Sequence, residues 1–307
     1  MADEPIIVGI HGLANKPEKQ ELSDWWRKSI AEGLRKNAKM ADPKFDYKMA
    51  YWRHHLYKYP LHQDHSLYFD QLYNSEPYVE AAKGTLKAKE DGIWDDLAAA
   101  SLDLGGRSLD FLKANFGMDS LADAFLGQLL KDLNLYYQDD DKREQLRREL
   151  RDELLAVKGR KIMLVAHSMG SIIAYDVLTL LGKSDPGFEV DHFVTIGSPL
   201  GLPHVRNKIV EEFTHRGGKN ERMRTPSAVR KRWVNFGDRK DPVALDVHLR
   251  NDYDKNKHGV RCEDDLVCND YRVAKRGETE PHRNHHKSYG YLRTPEFSAL
   301  VRDFLAA

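Results

Sequence analysis

Hydrophobic positions along this chain alternate between short unbroken runs and stretches at helical spacing. The first run, Pro5-Ile-Ile-Val-Gly-Ile10, predicts a buried strand. Helical spacing follows over residues 21–37, with Trp26, Ile30 and Leu34 facing inward and Ser23 as the expected cap. Residues 45–52 alternate and predict a second strand. The pattern then turns helical for about a hundred residues, in amphipathic segments near 76–90, 93–112, 120–134 and 141–157, with Gly105-Gly106 and Gly117 as punctuation. The last segment is expected to pack on the sheet ahead of the next strand, Ile162 to Val165. After that strand, Ile172, Ile173, Ala174, Val177 and Leu178 resume at helical spacing. Strands are expected again at 191–200 and 232–236. A final helix is expected at 295–305, with proline at its start and Phe297, Leu300, Val301 and Phe304 on one face.

The break between strand and helix at Ala166-His167-Ser168-Met169-Gly170 puts a serine at a sharp turn. This is the outline of a nucleophile elbow, G-x-S-x-G, with Ala166 in place of the first glycine. Small residues two before and two after Ser168 let the backbone double back without collision. The plain alternative is a serine that caps a helix. A hydroxyl is a weak nucleophile, so Ser168 needs a base, an acid to orient the base, and an oxyanion site. Met169 offers one backbone N–H at the start of the helix. The loop His11-Gly12-Leu13-Ala14-Asn15, after the first strand, offers a second at Leu13, with Gly12 allowing close approach to the serine. His11, Gly12 and His167 are the candidate substrate-binding residues, and His11 is read as structural rather than catalytic.

Behind an elbow the acid should precede the histidine along the chain. The strand at 191–200 ends in Gly197-Ser198-Pro199, with no carboxylate. The next ends in Gly237-Asp238-Arg239-Lys240-Asp241-Pro242-Val243. Asp241, in an Asp-Pro-Val turn, is favoured as acid, with Asp238 as alternate and Asp246 behind both. Three histidines, His282, His285 and His286, precede the last helix. His286 is favoured as base and His285 is its alternate.

Together these residues resemble the α/β-hydrolase superfamily in its serine esterase and lipase branch. The Val-Gly-Ile-His-Gly-Leu start and the Ala-His-Ser-Met-Gly elbow are similar to small Bacillus-type lipases. The Thr195-Ile-Gly-Ser-Pro-Leu-Gly201 segment and the His-x-Ser-Tyr loop resemble esterases related to inositol-deacylase-like lipases. The resemblance implies a mostly parallel sheet flanked by helices. It implies Ser168 as nucleophile, Asp241 as acid, His286 as base, and Leu13 and Met169 as oxyanion donors, with no cofactor and no metal. It covers two blocks, about 5–52 and 160–307. The expected division is a hydrolase core of 1–52 and 141–307 with a helical cap or lid at 53–140, an insertion the small lipases lack.

Composition narrows the partners. Lysine plus arginine and aspartate plus glutamate both number 48, a net charge of zero without the basic balance of a nucleic-acid binder. The mixed-sign run at 139–153 reads as a solvated helix face. No apolar stretch approaches a membrane span, and no leader precedes the first strand, so a cytoplasmic protein with Cys262 and Cys268 reduced is expected. The basic stretch 202–226 reads as a solvated loop and helix, with attraction of anionic groups to the site mouth as its alternative. The acidic stretch 246–271 reads as a hairpin or extended excursion with Asp264-Asp265 in its turn rather than a Ca²⁺ loop. His54-His55 and His62-x-x-His65 read as polar cap lining rather than a zinc site. The expected reaction is hydrolysis of a small-molecule or lipid carboxylic ester through an acyl-enzyme. A phospholipase or lipid deacylase, thioesterase, amidase or acyltransferase could use the same groups, and a non-catalytic binding module could keep the same fold.

Overall fold

A computed structural model describes residues 4–62, 74–81, 120–215, 222–244, 246–274 and 281–307. Among these, six parallel strands form one sheet: β1 (Pro5–Ile10), β2 (Asp46–Ala50), β3 (Lys161–His167), β4 (Val190–Ile196), β5 (Val229–Gly237) and β6 (Cys262–Leu266), in the order β2-β1-β3-β4-β5-β6. A short antiparallel pair, β7 (Arg272–Val273) and β8 (His282–Arg283), stands apart. The helices are α1 (Lys19–Lys36), α2 (Ser120–Gln138), α3 (Asp140–Leu155), α4 (Met169–Ser184), α5 (Pro203–His215), α6 (Ser288–Tyr291) and α7 (Pro295–Ala306). The expected α/β class, a mostly parallel sheet flanked by helices, is what the molecule has.

Strands covered on both faces read as unbroken apolar runs. Alternate side chains divide between two cores. Ile6, Val8, Ile10, Leu164 and Phe193 face α2, α3 and α4, while Ile7, Met163, Val165, Val194 and Val234 face α1 and α7. The chain runs from β1 outward to β2, then returns to β3 and continues the other way. The order therefore reverses between β1 and β3, whose ends lie in register with Ile10 beside Ala166. In open α/β sheets, ligands gather at such a reversal, beyond the carboxyl ends of the strands. The His11-Gly12 loop and Ser168 both sit there.

Several local expectations change. Helix α1 begins at Lys19 behind Glu18, so Ser23 lies inside it rather than capping it. Residues 76–81 are irregular rather than helical: Val79 N–H donates to Tyr271 Oη and Ala81 N–H to Glu32 instead of to a helical carbonyl. The expected helix at 93–112 lies outside the described residues. Helix α2, expected in the cap, sends Leu129, Leu133 and Tyr136 into the same core as β1, β3 and α4.

The acidic stretch is not a hairpin. Cys262–Leu266 pairs in parallel with β5 as the sheet edge, so Asp264 and Asp265 lie within a strand. An edge strand tolerates that polarity because Asp264 caps the turn beside it, accepting from Leu249 N–H, Arg250 N–H and Asn235 Nδ2. No disulfide joins Cys262 and Cys268. The stretch 202–226 contains α5, and two of its cations pair closely with acids: Arg206 with Asp252 at 2.7 Å and Lys208 with Glu211 at 2.8 Å. No described helix is long and apolar enough to cross a membrane.

Candidate active site

Ser168 has φ 54° and ψ −131°. A non-glycine residue avoids that region unless its surroundings enforce it. Here they do. Ser168 N–H donates to Ile196 O, Ser168 O accepts from the N–H and Oγ of Ser171, and Ser171 Oγ meets Ser198 Oγ at 2.7 Å. The small residues that flank the turn have the expected reason. A methyl on Gly170 would fall 2.5 Å from His11 O, and one on Gly12 would fall 2.6 Å from Ser168 Cβ. The His11-Gly12 loop therefore passes directly over the serine.

His286 Nε2 lies 2.9 Å from Ser168 Oγ, and its Nδ1 lies 2.9 and 2.8 Å from the two oxygens of Asp241. Ser168, Asp241 and His286 are all buried. Asp241 also accepts from Tyr291 Oη at 2.7 Å and from Val243 N–H at 2.8 Å. Donors on every side suit an ionised carboxylate, which only accepts. Gly197, at φ 52°, makes room for the pair: a methyl there would fall 2.8 Å from Asp241 Oδ2 and 3.2 Å from His286 Nδ1. A carboxylate reaching over from the β5 loop needs this strand tip empty. A hydroxyl bonded to an imidazole whose other nitrogen faces a carboxylate can hand its proton to that imidazole.

The alternates pair with each other. His285 Nδ1 meets Asp238 Oδ2 at 3.1 Å, and Asp238 also accepts from Lys240 N–H and Asn269 N–H. Neither residue of this second pair bonds Ser168. Asp246 caps the N–H of His248, and the side chain of His282 is outside the described residues.

The loop over Ser168 is fixed by His11 and by groups that the sequence did not single out, Asp132 and Lys16 among them. Ala14, at φ 64°, donates its N–H to Asp132 Oδ2 at 2.7 Å. Burial pushes the Asp132 carboxyl up, and the bonds from Ala14 N–H, Gln128 and Tyr57 oppose that. Lys16 Nζ donates to Leu13 O and to Asn74 Oδ1. His11 meets Gly12 O through Nδ1 at 2.9 Å and accepts from Trp52 N–H through Nε2 at 3.2 Å. Burial, with Lys16 next, holds its pKa well below the usual histidine range. That bonding needs one protonated and one bare nitrogen, so the neutral ring fits it. His167 is likewise held down, by burial and then by His286 and Lys16, and its Nε2 bonds the backbone carbonyl of His286 at 2.8 Å. Beside His286 a cleft is lined by His11, Gly12, Leu13, Lys16, Trp26, Asn74, His167, Lys287 and Tyr289. No described residue of the basic stretch 202–226 lines it.

The histidine pair expected as polar lining meets a helix instead. His54 and His55 both reach Glu149 Oε1 on α3, at 3.3 and 2.8 Å. These are the three residues that among the described ones could share a metal ion. His62 is not part of that set, and His65 lies outside the described residues.

No family model matches the chain. A 42-residue segment, 14% of this chain, is 48% identical to part of a Saccharomyces cerevisiae protein named "Probable phospholipase YOR022C, mitochondrial". The match spans only 6% of that protein's length.

Proposed function

We propose that the protein is a serine hydrolase that cleaves a carboxylic ester of a lipid through an acyl-enzyme. The observation that carries this reading is the unbroken chain from Ser168 Oγ to His286 Nε2, at 2.9 Å, and from His286 Nδ1 to Asp241, at 2.8 Å. In this reading Ser168 Oγ bonds the ester carbonyl carbon as its proton passes to His286 Nε2, and the carbonyl oxygen becomes an oxyanion. The backbone N–H groups of Leu13 and Met169 are the proposed donors to that oxyanion, one on each side of the Gly12–Ser168 contact. Collapse breaks the bond to the alcohol, which leaves with the proton from His286. Water then gives a proton to His286 and attacks the acyl carbon; the second collapse breaks the bond to Ser168 Oγ, which takes that proton back from His286 as the acid leaves. Asp241 holds the imidazole in the tautomer with Nδ1 protonated and stabilises the imidazolium. No cofactor enters these steps.

A phospholipid is favoured over a neutral ester by the positive charge of two lysines, Lys16 and Lys287, among the residues that line the cleft. The name of the yeast protein points the same way. The region 53–140 is proposed as the insertion that borders the site, supported by the bond from Ala14 to Asp132.

Intact mass after exposure to a fluorophosphonate tests the reading. Oγ of an activated serine displaces fluoride and adds one phosphonyl group. A single adduct on the wild type, absent from Ser168→Ala, is expected. Phospholipid vesicles are then expected to turn over faster than a triacylglycerol emulsion. An unlabelled wild type would leave a binding module as the better account.

A further inference from the structure

His286 sits in a loop rather than on a strand or helix, yet its ring is held between two partners. Three successive carbonyls of that loop are each tied by a side chain from elsewhere. Asn269 Nδ2 donates to His285 O at 2.7 Å and to Lys287 O at 2.9 Å, one bond on each side of His286. His167 Nε2 bonds the carbonyl between them, that of His286, at 2.8 Å. Asn269 is fully buried just beyond β6, and its other groups are used too. Its Oδ1 accepts from Tyr271 N–H at 3.2 Å, and its N–H donates to Asp238 Oδ2 at 2.7 Å. Asp238 closes the circuit by meeting His285 Nδ1 at 3.1 Å.

A carboxamide has two N–H donors and one acceptor oxygen in a fixed plane. With its donors on the carbonyls of His285 and Lys287, and His167 on that of His286 between them, the three successive peptide units from 285 to 288 cannot rotate without breaking a hydrogen bond. We propose that Asn269 is a positioning residue: it clamps the backbone on both sides of His286 and so keeps the imidazole in line between Asp241 and Ser168. This inference rests on the proposed role of His286. Asn269 touches neither the ester nor the serine.

The packing around the amide shows how little room the clamp has. A methyl on Gly290 would fall 1.6 Å from Asn269 Oδ1 and 2.5 Å from its Cγ. Position 290 must therefore stay bare for the amide to reach the loop, and Gly290→Ala disturbs the clamp from the opposite side.

Two variants test the clamp. Asn269→Asp keeps the shape and the acceptor for Tyr271 N–H but removes both donors, and Gly290→Ala displaces the amide. Both are read by the rate of fluorophosphonate labelling and by the NMR signal of the His286 Nδ1 proton. Misplacing a reacting group by about 1 Å can cost about a hundredfold, so labelling is expected to slow by tenfold to a hundredfold in Asn269→Asp. The Nδ1 proton signal is expected to broaden through exchange with water. A merely structural residue would lower the melting temperature and leave both readouts where they were. Wild-type labelling rate and an unbroadened proton in either folded variant would overturn the clamp. Failure of the wild type to label would sink the role of Ser168, while the Nδ1 signal would still decide whether Asn269 holds the ring.

Discussion

At the scale of the residue, two aspartates three positions apart face two adjacent histidines, and the geometry separates their work. Asp241 takes His286, which meets Ser168, while Asp238 takes His285, which does not. The sequence offered both aspartates and both histidines because nothing in their spacing says which ring turns inward. His285 and His286 are the middle residues of a turn closed by the Lys287 N–H to Asn284 O bond, and from it one ring reaches the serine while the other meets Asp238. Asp241→Asn is expected to lower kcat/KM by roughly 10⁴-fold, because an amide can present the wrong partner to Nδ1. Asp238→Asn keeps an acceptor oxygen and weakens at most a hydrogen bond worth about 1 kcal/mol, or about fivefold. Steady-state rates on one soluble ester compare them, and the reverse order would move the acid to Asp238. Ser168, Gly12 and Gly170 were legible because a tight turn demands small neighbours at fixed positions. Gly197, Asn269, Tyr291 and Asp132 were not, since their importance comes from residues 16 or more positions away that only the fold brings near.

At the scale of the element, β1, β3, α4 and α7 were readable because buried elements carry long uninterrupted patterns. Strand β6 was not, because an edge strand with two aspartates has the composition of a turn, and its partner β5 lies some thirty residues earlier. The helices on the α2, α3 and α4 face are tied by a buried ionic knot that no periodicity predicts. Arg147 on α3 meets Asp176 on α4 at 2.6 Å, and Tyr136 on α2 donates to the same carboxylate at 2.5 Å. Glu212 on α5 reaches Arg147 at 3.4 Å and also pairs with Arg143. Removing one partner of such a pair strands a buried charge and costs about 3–5 kcal/mol, whereas replacing both by apolar groups can be close to neutral. Arg147→Leu is therefore expected to lower unfolding free energy by about 3 kcal/mol, and Arg147→Leu with Asp176→Leu to recover most of it. Urea unfolding of the single and double variants measures this. A double variant as unstable as the single would mean that the knot contributes net stability beyond the cost of the stranded charge.

At the scale of the whole molecule, buried histidines tie the fold to pH. His11 and His167 are held neutral by burial close to Ser168. His192 on β4 is pulled down to about 4, first by burial and then by Arg232. Its Nδ1 is buried without a hydrogen-bond partner among the described residues, and its ring packs edge-on against Phe304 at 5.2 Å. Above about pH 6.5 neither the native nor the unfolded chain protonates these rings, so stability is flat there. Below that, the unfolded chain takes up protons that the native sites refuse, until the native pKa is reached. Stability therefore falls as pH drops below about 6.5, by about 1.4 kcal/mol per unit for each such ring, and for His192 until about pH 4. His192→Phe keeps an aromatic ring against Phe304 and removes one titration. Between about pH 6 and pH 5, its stability is expected to fall less steeply than the wild type's by about 1.4 kcal/mol per unit. The slope should not vanish, because His11 and His167 remain. Unfolding free energies from urea melts across that range decide it. Parallel slopes for the two proteins would mean that His192 protonates in the native sheet as readily as in the unfolded chain, and the acid sensitivity would then belong to the two histidines beside the serine.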